Sequence, residues 1–147
     1  MKFVNEGADI HVPDGVSEEE ALARTTYMSI AAHQDDCEIM AYHAIAQCYG
    51  SGEDWYTAVV LTDGGGSPRS GAYANYTNEQ IHIKRSQEQR DAADVGRYSA
   101  VVQLSYTSEE VRTTRRDVIE DVDIDELIKN AKVMTLFMAK WCGIGKE

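Results

Sequence analysis

Four short apolar runs, spaced along the chain with helix-like segments between them, constrain the fold more than any other feature. They lie at residues 26–32, 57–62, 100–106 and 133–139. The first three are short, continuous and bounded by turn residues, which is typical of buried strands, and the fourth could be another strand. The alternation of strand and helix predicts an α/β layered domain with a parallel sheet and right-handed crossovers.

Local signals predict four helices around these strands. The first is a short helix capped by Ser17. The others run from about Asp36 to Tyr49, from a Thr77–Gln80 capping box to Gly96, and from DIDE at 123–126 through Asn130. The second of the four is apolar almost all round, so we expect it to be well covered. Residues 1–16 are expected to form an irregular lead-in.

Composition limits the classes of function. The chain has 147 residues, of which 43% are hydrophobic, which suits one domain with a real core. Its net charge of −11 argues against nucleic acid or anionic lipid as a partner. No apolar run is long enough to cross a membrane, and no apolar signal core is present near the start. Three widely spaced cysteines favour a reducing, cytoplasmic location.

Three polar segments follow the predicted strands directly. In parallel sheets, ligands bind beyond the carboxyl ends of the strands. The segments AHQDD at 32–36, TDGGGSPR at 62–69 and the residues after 106 all fall at that edge. The sequence therefore predicts one site, shared by these segments.

His33 and Asp36 lie three residues apart on a turn from strand to helix, a spacing that can bring both onto one metal ion. A catalytic zinc takes about three protein ligands and leaves one position open, and it works with a nearby carboxylate, which Asp35 could supply. The alternative to a metal site is an ordinary helix N-terminus capped by acidic residues. His43 lies roughly 10 Å further along the helix, too far for the same metal. His82 could reach the sheet edge, although nothing in the sequence supports it specifically.

The glycine-rich loop at 63–71 has three possible roles. It could cradle a phosphate, although it lacks the GK[ST] element of a P-loop, or it could be a flexible turn. We favour the third, in which its glycines let the backbone approach a ligand while Arg69 supplies a cation.

The helix at 78–96 carries charges on the face that its apolar residues mark as inward. Ile81, Ala92 and Val95 share this face with Arg85 and Glu88. Buried charges are costly unless they are paired. We therefore expect Arg85 and Glu88 to form a structural ion pair beneath the site loops.

Three motifs in register resemble one family. AHQDDCEIMA resembles the A-H-P-D-D-x-E signature of the LmbE-like, or PIG-L, family of zinc-dependent deacetylases, with Gln34 in place of proline. VVLTDGGGSPRSG at 59–71 is similar to that family's second strand and T-[DN]-G loop. RSQEQRDAADVG at 85–96 is similar to its R-x-x-E-x-x-x-A-A-x-x-G helix. The resemblance covers about residues 8–130.

The resemblance implies a Rossmann-like α/β fold, a three-layer sandwich with a mostly parallel sheet. It implies hydrolysis of an N-acetyl group from a small amino sugar or sugar conjugate, with one zinc as cofactor. His33 and Asp36 would be zinc ligands, and Asp35 would be the general base. The remaining implied site residues would either bind substrate (Arg69, Asp63 and Gly64) or support the ligands from behind (Glu38, Arg85 and Glu88).

The sequence departs from the family near its end. The family takes its third zinc ligand and an oxyanion-stabilising histidine from a downstream H-x-x-H element, but no histidine follows His82 here. After about Lys132 the chain is expected to stop tracking the family. We therefore predict a single LmbE-like domain over residues 1–147 that is incomplete at its C-terminus, with exposed sheet edges that favour homo-oligomers.

These departures keep three functions open. The chain could be a zinc-dependent deacetylase, poorly active or inactive unless His82 or a partner chain supplies the missing ligand. It could be a non-catalytic remnant or a sugar-binding module on the same scaffold. The third and weakest hypothesis is a nucleotide-binding domain that uses the glycine-rich loop for phosphate.

Overall fold

A five-stranded sheet organises the fold in this computed structural model, which describes residues 2–113, 115–122 and 133–136. The strands run in the spatial order β1-β4-β3-β2-β5. The first pairs antiparallel with β4, and all other neighbours are parallel. The four predicted strands are confirmed. The bounds are β1 (Asp9–His11), β2 (Tyr27–Ala31), β3 (Tyr56–Thr62), β4 (Ala100–Tyr106) and β5 (Val133–Leu136).

Six α-helices and one 3-10 turn accompany these strands within the described residues. They are α1 (Glu18–Ala23), α2 (Asp36–Met40), α3 (Tyr42–Cys48), the 3-10 turn Gly71–Tyr73, α4 (Asn78–Gly96), α5 (Ser108–Thr113) and α6 (Arg115–Asp121). The predicted caps at Ser17 and Thr77 are confirmed. The Ser17 side chain accepts a hydrogen bond from the backbone of Glu20, and Thr77 and Gln80 form a reciprocal capping box. None of the described helices combines the length and the apolar character needed to cross a bilayer.

Helices cover both faces of the sheet, which confirms the three-layer α/β fold. Successive residues of a strand point to opposite faces. On β3, Val59 and Leu61 join one core cluster with Val111 of α5 and Val118 of α6. Ala58 and Val60 join a second cluster with side chains from α2, α3 and α4.

The expectation of an irregular lead-in over residues 1–16 is wrong, because β1 forms there. Asp9, Ile10 and His11 pair with β4, and two side-chain contacts to α4 support them. The distances are 2.6 Å from His11 Nε2 to Asp94 Oδ1 and 2.8 Å from Arg90 to Asp9. All of these partners lie far away in sequence, so no local pattern announces the strand.

The single helix predicted from about Asp36 to Tyr49 is two helices that meet at Ala41. The backbone of this residue has left the helical region, with φ −106° and ψ 18°. The expectation that this segment is well covered is also wrong. Ile39 is 74% exposed and Tyr42 is 64% exposed, because only a narrow stripe of these short helices faces the sheet.

The inward face of α4 differs from the one that its apolar residues predict. Val95 is 78% exposed, whereas Gln89 and Ala93 are buried. Small and polar side chains line this face because it packs against β4 and the turn after β2. Helices α5 and α6 were not predicted, and the helix predicted at 123–130 lies outside the described residues.

Candidate active site

The carboxyl ends of β2, β3 and β4 are joined directly by backbone hydrogen bonds. The amide of Thr62 donates to the carbonyl of Ala32 at 2.9 Å, and the amide of Asp63 donates to the carbonyl of Tyr106 at 2.7 Å. The polar segments that follow these strands are therefore neighbours, as the sheet-edge rule predicts.

His33 and Asp36 come together on the turn between β2 and α2. The distance from His33 Nδ1 to Asp36 Oδ2 is 3.2 Å, and the backbone amide of His33 donates to the same oxygen at 3.0 Å. At ordinary zinc bond lengths, two ligands of a tetrahedral ion lie about 3.3 Å apart. The pair therefore fits two corners of a zinc site in spacing and in donor type. Among the residues described, no group of three His, Cys, Asp or Glu side chains could hold a metal together.

Asp35 lies between the two candidate ligands and has a left-handed backbone, with φ +78°. Its side chain is 59% exposed, and its Oδ2 accepts a hydrogen bond from Arg85 at 2.8 Å. No described residue bonds to its other carboxylate oxygen. The turn therefore presents one carboxylate oxygen to solvent while the other is held.

Arg85 connects α4 to this turn. It pairs with Glu88 at 3.1 Å, as expected, but it also donates to the Gln34 carbonyl at 2.7 Å and to the Asp35 carboxylate. Burial by itself lowers the pKa of an arginine. Here the hydrogen bond and charge of Asp35, followed by those of Glu88, outweigh burial and raise the pKa of Arg85. The predicted structural pair is therefore also a direct contact of the candidate base.

Gln34 occupies the position where the family signature has proline. Its side chain is buried and donates from Nε2 to the Thr62 carbonyl at 2.8 Å, which ties the ends of β2 and β3 together. Gly64 has φ +69°, and a Cβ built there would lie 2.5 Å from Gln34 Oε1. A glycine is therefore required at position 64 for this close approach.

Glu38 supports the turn through contacts that no sequence motif identified. Its Oε1 accepts hydrogen bonds from Gln89 Nε2 and from the Tyr98 hydroxyl, both at 2.8 Å. Burial, followed by the charge of Glu38, raises the pKa of Tyr98, so this hydroxyl stays a donor. Gln89 is four residues after Arg85 on α4, and this spacing is the only sequence signal that could have suggested it.

The glycine-rich loop is held by its own polar residues. Oδ1 of Asp63 accepts from the Gly65 amide at 2.9 Å, and the carbonyl of Asp63 accepts from His82 Nδ1 at 2.9 Å. Arg69 donates to the carbonyls of Gly65 at 2.9 Å and Tyr76 at 3.1 Å. His82 is thus bound to the loop. Among the described residues, it does not form a three-donor metal cluster with His33 and Asp36.

A cleft of about 300 Å³ lies beside Asp35. The glycine-rich loop contributes Ser67 and Pro68 to its wall, and the 3-10 turn contributes Tyr73. Helix α4 contributes Ile81, Lys84, Arg85 and Glu88. The candidate base and the ion pair of α4 therefore face one space, while His33 and Asp36 lie next to it along the turn. Tyr73 and Lys84 are wall residues that the sequence did not suggest.

Comparison with solved structures finds the same fold in a deacetylase. The match is to N,N'-diacetylchitobiose deacetylase from Pyrococcus horikoshii complexed with its inhibitor MPG, with a TM-score of 0.54 and 17% sequence identity. It covers 78% of this chain and 42% of that chain. A search of curated proteins finds no significant match.

Comparison with protein families finds one match that spans most of the sequence. The model for PIG-L, described as GlcNAc-PI de-N-acetylase, matches residues 28–143. The match begins later than the motif resemblance and ends later, so the expectation that the chain stops tracking the family after about Lys132 is wrong. Together with the fold and the three motifs, this match shows that the chain belongs to the PIG-L family.

Proposed function

We propose that the protein is a zinc-dependent hydrolase that removes an N-acetyl group from a small amino sugar or sugar conjugate. The observation that carries the proposal is the pairing of His33 with Asp36, 3.2 Å apart, on the turn that also presents Asp35 to the cleft. Two descriptions support the substrate class. The family is described as a GlcNAc-PI de-N-acetylase, and the structural neighbour is a diacetylchitobiose deacetylase.

In this proposal His33 and Asp36 hold the zinc, which when bound supplies an activated water and polarises the amide carbonyl. Asp35 accepts the proton of the attacking water and passes it to the nitrogen as the C–N bond breaks. Arg85 holds Oδ2 of Asp35, so the other oxygen is left for this transfer. The products are acetate and a free amine. The glycine-rich loop, with Asp63, Gly64 and Arg69, is proposed to bind the sugar.

The number of ligands decides how strongly zinc can bind. Two protein ligands hold zinc much more weakly than three. Submicromolar affinity would therefore require a third donor from outside the described residues or from a second chain. The competing proposal is a sugar-binding module without catalysis, and what favours it is that the described part of the chain brings two metal donors together and no third.

A zinc titration by calorimetry, followed by an assay of acetate release, tests the proposal. We expect one zinc per chain, and at least tenfold weaker binding in His33→Ala. His43→Ala is the matched control, because His43 is an exposed histidine on α3 whose ring lies against Tyr42, and within the described residues it forms no hydrogen bond or ion pair with the site. The zinc-loaded protein should release acetate from N-acetylglucosamine or N,N'-diacetylchitobiose. Sugar binding without acetate release would favour the binding module, and equal zinc affinity in His33→Ala would refute the proposed metal site.

A further inference from the structure

A buried glutamine on α4 connects the two ends of the candidate catalytic turn. Gln89 is 2% exposed. Its Oε1 accepts the backbone amide of Asp35 at 3.2 Å, and its Nε2 donates to Glu38 Oε1 at 2.8 Å. Asp35 precedes the first residue of α2 and Glu38 lies within it, so one side chain fixes both.

The chemistry of the two contacts leaves Gln89 only one orientation. An amide N–H needs an acceptor, and a carboxylate oxygen needs a donor. Gln89 satisfies both because it carries one of each. Leucine offers neither group, methionine offers no donor and glutamate offers no donor, so each of these substitutions loses at least one contact.

The conformation of Asp35 makes the first contact consequential. Non-glycine residues with a left-handed backbone are strained and persist where their surroundings hold them. The amide of Asp35 is held by Gln89, and its carboxylate is held by Arg85, four residues earlier on the same helix. The backbone and the side chain of Asp35 are thus both hydrogen-bonded to residues on one face of α4.

We propose that Gln89 is a positioning residue, which keeps Asp35 in its left-handed conformation so that the carboxylate faces the cleft. As a statement about catalysis this inference rests on the proposed function. As a statement about the turn it stands on the two hydrogen bonds alone. The test therefore has one readout for each.

Hydrogen exchange of the Asp35 amide, followed by NMR, is the first readout. We expect exchange at least tenfold faster in Gln89→Leu, because the amide of an exposed residue then has no acceptor. Gln87→Leu is the matched control. It makes the same change two residues away on the same helix, where Gln87 is exposed and its side chain donates to Asp91 on the same helix.

A double variant that swaps the side chains of positions 38 and 89 tests whether the protection of the Asp35 amide can be rescued. In the double variant Glu38→Gln with Gln89→Glu, the two side chains swap their groups. The new carboxylate at position 89 can accept hydrogen bonds from the backbone amide of Asp35 and from the side-chain amide at position 38. The new glutamine can still accept the Tyr98 hydroxyl. We expect this variant to restore slow exchange at Asp35 to within about threefold of the wild type, whereas a role in general packing predicts no rescue.

The amides of Val59 and Val60 in the centre of β3 report whether each variant is folded. If Gln89→Leu loses their protection, Gln89→Ala takes its place. Unchanged exchange at Asp35 in the folded variant, or no rescue by the double variant, would overturn the inference.

The second readout is the kinetics of acetate release. A positioning role predicts that Gln89→Leu lowers kcat at least tenfold, leaves KM within about twofold, and is rescued by the double variant. If the wild type releases no acetate, the proposed function fails, and the exchange rates still decide the role of Gln89.

Discussion

The two faces of the sheet are packed with different side chains. The face covered by α1, α5 and α6, which we call the aliphatic face, is filled mainly by methionine, isoleucine, leucine and valine. The face covered by α2, α3 and α4, which we call the mixed face, is filled by alanines, cysteines, tyrosines and two valines. The candidate catalytic turn rises from the mixed face, because α2 starts within that turn.

The small residues of the mixed face leave room for polar contacts. Ser29 bonds to the Tyr56 hydroxyl and donates to Cys37 Sγ at 3.2 Å. The rings of Tyr56 and Tyr98 meet edge to face with centroids 4.7 Å apart, and Tyr98 donates to Glu38. Substitutions on the aliphatic face should therefore change stability alone, and those on the mixed face should also change the site.

The largest effect expected is at Asp35. Asparagine tolerates a left-handed backbone as aspartate does, so Asp35→Asn removes the base and keeps the turn. General base catalysis contributes a factor of roughly 10² to 10⁴, which is about 3–5 kcal/mol of transition-state stabilisation. We expect acetate release to fall by that factor while the thermal unfolding midpoint moves by about one degree at most. An active Asp35→Asn protein would exclude Asp35 as the base.

The second effect tests the aliphatic face. Leu104 is fully buried there, and Leu104→Ala removes apolar contacts and leaves a cavity. The free energy of unfolding should fall by about 2–5 kcal/mol in urea titrations. Zinc affinity of the folded protein should stay unchanged. Val95→Ala is the control, since Val95 is 78% exposed, and it should cost less than about 0.5 kcal/mol.

A third and smaller effect is expected from Tyr98→Phe. The variant keeps the ring and removes one of the two donors to Glu38 Oε1. A hydrogen bond to a charged group contributes about 1.5–3 kcal/mol, and the second donor, Gln89, should keep the loss near the lower end. The free energy of unfolding and the rate of acetate release should both fall. Tyr49→Phe, at a 53% exposed tyrosine, is the comparison. If Tyr98→Phe lowers the free energy of unfolding but leaves acetate release unchanged, packing on the mixed face is not coupled to the site.

The smallest effect concerns alkaline pH. Burial above all raises the pKa of Cys37 from 9.0 to about 12. The unfolded chain then loses this proton before the folded protein does, so the stability from the buried neutral thiol is complete below pH 9. It is lost progressively as the pH rises from about 9 to 12. At pH 10 the free energy of unfolding should be lower by about 1 kcal/mol from this group.

Cys37→Ala measures that contribution. The variant is less stable at every pH because it removes a buried side chain, but the difference between pH 8 and pH 10 should be smaller than in the wild type. Both proteins should be unfolded in urea under reducing conditions. Identical pH dependence in the two proteins would contradict the assignment.

Local patterns predicted the parts of the fold that depend on local interactions. Strand runs, the Ser17 cap and the capping box at Thr77 need only neighbouring residues, and all were confirmed. The pairing of Arg85 with Glu88 also follows from their spacing on one helix. The parallel pairing of β2, β3 and β4 also followed from the alternation of strands and helices, because parallel strands need crossover connections.

The rest depended on partners distant in sequence. Strand β1 exists because β4 pairs with it, and Gln89 points inward because Asp35 and Glu38 offer it an acceptor and a donor. Val95 was predicted to face inward because it is apolar. That prediction was wrong because the hydrophobicity of a side chain does not show which partners the fold offers it. Arg85 was placed correctly on the helix, but its bond to Asp35, fifty positions away, was not foreseeable.

The pairing of β1 with β4 also has a consequence for synthesis on the ribosome. Asp9 pairs with Gln103, and the backbone amides of Val4 and Asn5 bond to Asp121. At roughly 5–20 residues per second, the first residues wait about 5–20 s for these partners to be made. The pairing of β2 with β3 waits only about 2–6 s by the same rate, because Tyr27 and its partner Tyr56 are close in sequence. The catalytic turn can therefore be assembled with α4 while residues 4–11 still lack their partners in β4 and α6.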